Sequence, residues 1–331
     1  MSEIAVFSDK ELNAFRYGFV RDLWVITSYY NPCGYKTRRF NHEIFAHAIR
    51  ESGLSLLTVE CAFGTHPFDL QESIDVIRVR SRSSIWQKER LLNLAISWLP
   101  PSCKYVVWLD CDLLFLNKSW PKDTVELLEK FPLVQVFETC NRLPPENLKR
   151  QDKGDICRSF ASITSDDHQT LFSGNFEKHG HTGYGWAARY DILRRRGLYE
   201  HAIIGSADHF MAHAAFGDLE GACMKLMTDK DINQIQHFQD WGQPFFEEIM
   251  GKIGAVPGQI LHLWHGDLKN RKYLIRNREL TQLGFNPYTD IIAYPGKPLE
   301  WKENMPKDNL KVMFENYFKN REEDYSLFAT S

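Results

Sequence analysis

The sequence has few cysteines for a disulfide-stabilised protein and none of the spacing that marks a cysteine-rich metal site. The seven cysteines of the 331-residue chain are odd in number and scattered, and no two of them form a Cys-x-x-Cys pair. This absence argues against a disulfide framework and against a zinc site. We therefore expect reduced thiols, as in a cytoplasmic protein.

Long hydrophobic runs and a strong excess of one charge are missing as well. No segment approaches the roughly 20 apolar residues that span a bilayer, and the first residues lack a signal-peptide pattern. The 40 basic and 43 acidic residues give a net charge of −3. That balance disfavours nucleic acid as a partner without excluding a local basic groove. We expect a cytoplasmic protein without a membrane span.

What the chain does contain is an alternation of short apolar runs with segments of helical periodicity. Strands are predicted at 23–27, 54–63, 75–79, 105–115, 133–138 and 260–268, and helices at 41–51, 86–99, 123–130 and 309–320. Alternating strands and helices predict an α/β fold with a Rossmann-like, mostly parallel central sheet covered by helices. Ligands of such sheets bind beyond the carboxyl ends of the strands.

The expected domain organisation is simple. One domain spans 21–295, with an N-terminal extension at 1–20 and a charged, partly helical tail at 296–331. Within the domain, the polar segment 145–182 predicts a flexible loop or flap beside the binding site, because long loops in compact domains are usually functional or disordered.

Two aspartates interrupt the most apolar strand candidate, VVWLDCDLLF at 106–115. Carboxylates within an apolar strand are costly unless they pair or bind a metal. Since side chains alternate along a strand, Asp110 and Asp112 are expected to share one face and to reach the same ion. Their oxygens suit Mg²⁺ or Mn²⁺, which also bridge phosphates. The alternative is a strand that ends in an exposed turn with two solvated aspartates.

The stretch WQKERLLN at 86–93, followed by KYVVWLDCD at 104–112, resembles the GT-A glycosyltransferases. It is most similar to their β-galactosyltransferase and polypeptide N-acetylgalactosaminyltransferase branches. The resemblance covers about 23–276 and includes three motif blocks in the expected order. It implies a nucleotide-sugar donor, with Asp112 as a direct metal ligand and Asp110 in contact with the ribose or the metal.

The second block contains GYGWAAR at 183–189 and IGSADH at 204–209. It resembles the donor and acceptor segment of the same branches, which implies that Trp186 stacks on a sugar ring and that Asp208 acts as catalytic base or sugar clamp. Only one acid stands where the branches have an acidic cluster, so the choice between these roles stays open. The structural alternative for Asp208 is a cap at the start of the helix that follows.

The third block is HLWHGDLK at 262–269. The resemblance implies that His265 completes the metal shell, with His262 as the alternate ligand. Lys269 and Arg271 would then offset charge on the departing nucleotide diphosphate. The alternative for an isolated histidine is a neutral side chain in the core.

Weaker candidates for the donor site follow from their position in the resembling fold. They end the first two strands or lie in the helix before the aspartates, and they are Thr27, Tyr29, Tyr30, Glu60, Lys88 and Asn93. One of the two tyrosines is expected to stack on uracil. The helix residues are expected to contact the donor or its diphosphate.

Together the blocks imply a metal-dependent enzyme of the hexosyltransferase class. It would move a sugar from a nucleoside diphosphate sugar, with UDP as the expected nucleotide, to a hydroxyl of a glycan, protein or small-molecule acceptor. Donor sugar, acceptor and stereochemical outcome stay open. A sugar-phosphate nucleotidyltransferase is one alternative, although NPCGY at 31–35 is a poor phosphate loop. A non-catalytic carbohydrate-binding protein on a transferase fold is the other.

Overall fold

A seven-stranded sheet forms the centre of the computed structural model, which describes residues 22–145, 154–176, 178–303 and 307–324. The strands are β1 (Leu23–Tyr30), β2 (Ser55–Phe63), β3 (Val76–Ser81), β4 (Tyr105–Leu109), β5 (Leu113–Phe115), β6 (Leu133–Gln135), β7 (Thr139–Arg142), β8 (Asp155–Arg158), β9 (Gly185–Arg189), β10 (Ile253–Ala255), β11 (Gln259–His262), β12 (Ile291–Ala293) and β13 (Leu299–Trp301). The predicted extension at 1–20 lies outside the described residues.

The α-helices cover both faces of this sheet. They are α1 (Lys36–Glu51), α2 (Lys88–Trp98), α3 (Trp120–Leu128), α4 (Phe160–Asp166), α5 (Tyr190–Arg196), α6 (Ala207–Ala214), α7 (Ala222–Met227), α8 (Ile232–Ile249), α9 (Tyr273–Gln282) and α10 (Asp308–Lys319). Short 3-10 helices occupy His168–Ser173 and Leu268–Arg271. In the described parts of the chain, no helix combines the length and hydrophobicity needed to cross a membrane.

The central sheet has the strand order β10-β6-β9-β4-β1-β2-β3. All of its pairings are parallel except those that β9 makes with β4 and β6. Neighbouring residues of β1 belong to opposite cores: Ile26 packs in the core that contains Leu91 of α2, and Val25 packs in the core that contains Phe45 of α1. The predicted α/β class, a mostly parallel sheet flanked by helices, is therefore confirmed.

The predicted single strand at 105–115 is wrong. β4 belongs to the central sheet and β5 to a second sheet with the order β5-β11-β7-β8, so residues 110–112 form the turn between two sheets. Hydrogen bonds hold this turn at both ends: Asp110 N–H donates to the carbonyl of Tyr184 at 2.8 Å, and Leu263 N–H donates to the carbonyl of Asp112 at 2.9 Å. The two aspartates are placed by this turn and not by strand alternation.

Two further segments differ from their predictions. The described part of 145–182 is regular over β8, α4 and the first 3-10 helix. The segment after 296 contains the predicted helix as α10, but it also contributes β13, which pairs with β12, and α10 buries Leu310 and Phe314 in the core. The C-terminal residues are thus positioned to contribute to a site on the main body of the fold.

Candidate metal and donor site

A cavity of about 820 Å³ opens at the carboxyl ends of β1 and β4. Its wall includes Tyr30 at the end of β1, the turn 110–112 after β4, and residues 179–184. Asp208 and Arg271 also line it. This is the position at which parallel α/β sheets bind ligands.

Asp112, His262 and His265 bring one ligand atom each to within 4.8 Å of one another. Nε2 of His265 lies 3.0 Å from Oδ2 of Asp112 and 3.1 Å from Nε2 of His262. The strand pairing explains the meeting, because β11 runs antiparallel to β5 and places His262 opposite Leu113. Both predicted histidine alternatives therefore join Asp112, and all three line the cavity.

This cluster fits a divalent cation. Among the described residues, Oδ1 of Asp112 is buried and has no hydrogen-bond partner. Burial, and then the nearby Asp110, raise the pKa of Asp112 to about 8, so a cation would offset a real cost of ionisation. Burial, followed by Arg271, lowers the pKa of His262 to about 3 and holds the pKa of His265 well below its ordinary value. Neutral imidazoles present the lone pair that a metal requires.

Glu323 stands behind His265, and the sequence reasoning missed it. Its Oε1 lies 3.1 Å from Nδ1 of His265. The carboxylate also pairs with Arg38 at 3.1 Å, Arg271 at 3.4 Å and Arg321 at 2.5 Å. Burial opposes ionisation, but Arg38 and the contacts with His265 and Arg271 lower the pKa of Glu323 to about 2. A carboxylate behind a metal-binding histidine fixes the tautomer and ring orientation.

Beside this cluster, a buried lysine forms ion pairs with two aspartates that were predicted as site residues. Nζ of Lys88, at the start of α2, lies 2.7 Å from Oδ1 of Asp110 and 2.8 Å from Oδ2 of Asp208. Burial would lower the pKa of Lys88, but the two carboxylates raise it well above its ordinary value, so the side chain is a cation. Burial raises the pKa of Asp208, against the opposing effect of Lys88.

These contacts decide between some of the alternatives for the two acids. The helix-cap alternative for Asp208 is wrong: α6 follows Ser206, Asp208 lies in its first turn, and its side chain bonds Lys88. Asp110 lies outside the group of close ligand atoms and pairs with Lys88. Its role as a metal ligand stays a prediction.

Three predicted donor residues at strand ends are instead tied into the fold. Thr27 is fully buried and donates its hydroxyl to the carbonyl of Leu109 at 2.7 Å. Tyr29 is buried in the core and donates to Asp69 at 2.9 Å. Glu60 accepts the backbone N–H of Asp69 at 2.5 Å. None of the three lines the cavity, so their predicted contact with the nucleotide is not supported by their positions.

Trp186, Asn93 and Lys269 also lie away from the cavity wall. Trp186 is 0 % exposed and donates its indole N–H to a backbone carbonyl, so it has no free face for a sugar. Asn93 donates to Glu200 at 2.7 Å. Lys269 is largely exposed and pairs with Asp267 at 3.2 Å. The predicted donor contacts of these residues are therefore not supported by their positions.

Arg276 is a further buried cation on the cavity wall, besides Lys88 and Arg271. It donates to Oγ of Ser206 at 3.0 Å, and its guanidinium carbon lies 5.8 Å from the ring centre of Trp86. Gly205 has φ of +92°, and a Cβ there would come within 2.8 Å of Nη2 of Arg276. The glycine in the predicted IGSADH block is thus favoured by its backbone conformation, and a side chain there would also have to displace the end of Arg276.

The similarities to known proteins are at the level of structure. No protein-family model and no curated protein matches the sequence. The chain is similar to glucosyl-3-phosphoglycerate synthase from Mycobacterium tuberculosis in complex with Mn²⁺, UDP and phosphoglyceric acid (14% identity, 88% of this chain and 87% of that chain, TM-score 0.36). It is similar to mannosyl-3-phosphoglycerate synthase from Rubrobacter xylanophilus (12% identity, 88% of this chain and 88% of that chain, TM-score 0.39). It is also similar to 4-diphosphocytidyl-2C-methyl-D-erythritol synthase from Anaerococcus prevotii (11% identity, 71% of this chain and 88% of that chain, TM-score 0.35).

Proposed function

We propose that this chain is a metal-dependent glycosyltransferase of the GT-A type that uses a nucleoside diphosphate sugar, with UDP as the nucleotide. The observation that carries the proposal is the convergence of Asp112, His262 and His265 at a cavity that also contains the Asp110–Lys88–Asp208 chain. The finer relation to the β-galactosyltransferase and N-acetylgalactosaminyltransferase branches is supported by the sequence blocks alone.

One carboxylate and two imidazoles would hold the ion. Mg²⁺ prefers oxygen ligands in strict octahedral geometry, whereas imidazole nitrogens suit transition metals, so Mn²⁺ fits this set better than Mg²⁺. Three protein ligands leave positions for other oxygens, as in catalytic metal sites. When bound, the ion would supply Lewis-acid stabilisation of the leaving diphosphate.

The protein's own groups complete the proposed site. Arg276 and Lys88 are cations on the cavity wall and would offset negative charge on the nucleotide. Arg271 is engaged with the carbonyl of His265 at 2.7 Å and with Glu323, so its proposed role is to hold the histidine segment in place. This differs from the direct phosphate contact predicted for it.

Asp208 is the proposed base for the acceptor hydroxyl, with a donor-sugar clamp as the alternative. A Cβ on Gly183 would lie 3.6 Å from Oδ2 of Asp208, so this glycine keeps space open beside the carboxylate. The variant Asp208→Asn separates the two roles. Loss of kcat with unchanged donor KM supports the base, because a proton acceptor acts only in the transition state. A raised donor KM at unchanged kcat supports the clamp.

Calorimetric titration with UDP, with and without Mn²⁺, tests the proposal. We expect binding that depends on the metal, and we expect Asp112→Asn to lose it while retaining the wild-type melting temperature. Asp267→Asn is the matched control, because Asp267 lies close to His265 in sequence but outside the cavity wall. Metal-independent UDP binding, or a wild-type response in Asp112→Asn, would contradict the proposal. Turnover only of a nucleoside triphosphate with a sugar phosphate would identify a nucleotidyltransferase instead.

A further inference from the structure

A second cluster of metal-ligating side chains lies at the edge of the cavity, apart from the Asp112 cluster. His179, His209, His213 and Cys223 are all buried, and their ligand atoms lie within 4.8 Å of one another. His209 and His213 are four residues apart on α6 and therefore share one face of the helix. Cys223 is on α7, and His179 precedes β9. Three separate segments of the chain thus converge on one point.

The distances suit a tetrahedral ion. Sγ of Cys223 lies 3.7 Å from Nε2 of His179. A tetrahedral zinc with its ordinary bond lengths separates sulfur and nitrogen ligands by about 3.6 Å. Among the residues the structure describes, Nε2 of His209 and Nε2 of His213 are buried without a hydrogen-bond partner. Buried polar nitrogens of this kind are costly unless something binds them.

Groups outside the cluster orient two of the rings. Nδ1 of His213 lies 2.7 Å from Oδ2 of Asp218, and Nδ1 of His179 lies 3.0 Å from the carbonyl of Gly180. If each Nδ1 carries the proton and donates it to that oxygen, the lone pair of Nε2 is left for a metal. Carboxylates and carbonyls behind histidine ligands have this role in established metal sites.

We propose that these four residues bind a structural zinc ion. One thiolate and three imidazoles form a closed set of four protein ligands, which is typical of structural zinc and leaves no position for substrate. The soft sulfur also disfavours Mg²⁺ and Mn²⁺. The ion ties the cavity segment that carries His179 to α6, whose first turn carries Asp208. The proposal is independent of the function proposed for the Asp112 cluster. The sequence did not predict this site because three of its ligands are histidines, so no Cys-x-x-Cys pair marks it.

Metal analysis of the full-length protein tests this site. Protein grown with zinc and dialysed is expected to retain about one zinc per chain, and Cys223→Ser is expected to lose most of it. Cys61→Ser is the matched control, because Cys61 is equally buried but lies on β2 and is not one of the four clustered ligands. Replacement by Co²⁺ should produce a thiolate-to-cobalt charge-transfer band in the wild type and in Cys61→Ser, and none in Cys223→Ser.

The outcomes separate this site from the proposed donor site. Asp112→Asn should retain both the zinc and the cobalt–thiolate band, whatever happens to its binding of UDP. Wild-type protein without stoichiometric zinc and without the thiolate band would overturn the proposal and leave a cluster of packed histidines. This measurement needs no variant, so a folding defect in Cys223→Ser does not obscure it. Loss of the band in Asp112→Asn would also overturn the proposal.

Discussion

Replacing Glu323 by glutamine tests whether the C-terminal segment supports the proposed metal site. Glu323 is 2 % exposed, and its Oε1 lies 3.1 Å from Nδ1 of His265. Glutamine keeps the shape but removes the charge that holds the imidazole. Loss of a carboxylate behind a metal ligand typically weakens metal affinity about 10–100-fold, or about 1.4–2.7 kcal/mol. We therefore expect the Kd for Mn²⁺ to rise by that factor.

The same change also affects stability, and the two effects have to be measured separately. Glu323 pairs with Arg38, Arg271 and Arg321, and removing one partner of a buried ion pair costs about 3–5 kcal/mol. The free energy of unfolding should therefore fall in Glu323→Gln, as measured by denaturant titration. Mn²⁺ binding is then followed by calorimetry under conditions in which the variant is folded.

The neighbouring residue supplies the control. Glu322→Gln changes the same charge one position away, on an exposed side chain that does not contact His265. It should leave both the Mn²⁺ affinity and the unfolding free energy near wild type. A folded Glu323→Gln protein with unchanged Mn²⁺ affinity would refute the reasoning and reduce Glu323 to a stabilising ion pair. An equal loss of affinity in Glu322→Gln would refute it as well.

Two further predictions concern buried side chains. Trp186→Phe should lower the free energy of unfolding by about 1–3 kcal/mol through lost volume and a lost hydrogen bond, without changing donor KM; a raised KM at unchanged stability would restore the predicted sugar contact. Burial lowers the pKa of His42 from 6.5 to about 4. Below pH 6.5 the unfolded chain therefore binds a proton at this histidine, whereas the folded protein binds it only near pH 4. Up to about 3 kcal/mol of stability should be lost as the pH falls through this window, and His42→Gln should remove that part of the loss in pH-dependent denaturant titrations. The exposed His47→Gln is the control, and an unchanged pH dependence in His42→Gln would contradict the assignment.

Much of the architecture follows from local pattern. Hydrophobic periodicity depends on neighbours within a few residues, so it indicated five of the seven strands of the central sheet, four of the ten described α-helices and the mostly parallel pairing. The carboxyl-end rule then predicted where ligands bind, and Asp112, Asp208 and His265 do line one cavity. Whether they bind a metal and a donor stays a prediction until the titrations described above.

The sequence by itself determined the first elements of the central sheet and the residue types offered for the site, and the tertiary structure decided the remaining elements and which groups meet. Periodicity does not show that β9 inserts antiparallel between β4 and β6, which sets Trp186 opposite Trp108 and buries it. Nor does it show that Glu323 reaches His265 across 58 residues of sequence. Such contacts depend on strand order and on the packing of distant segments, because hydrogen bonds and ion pairs act over a few ångströms in space regardless of separation along the chain.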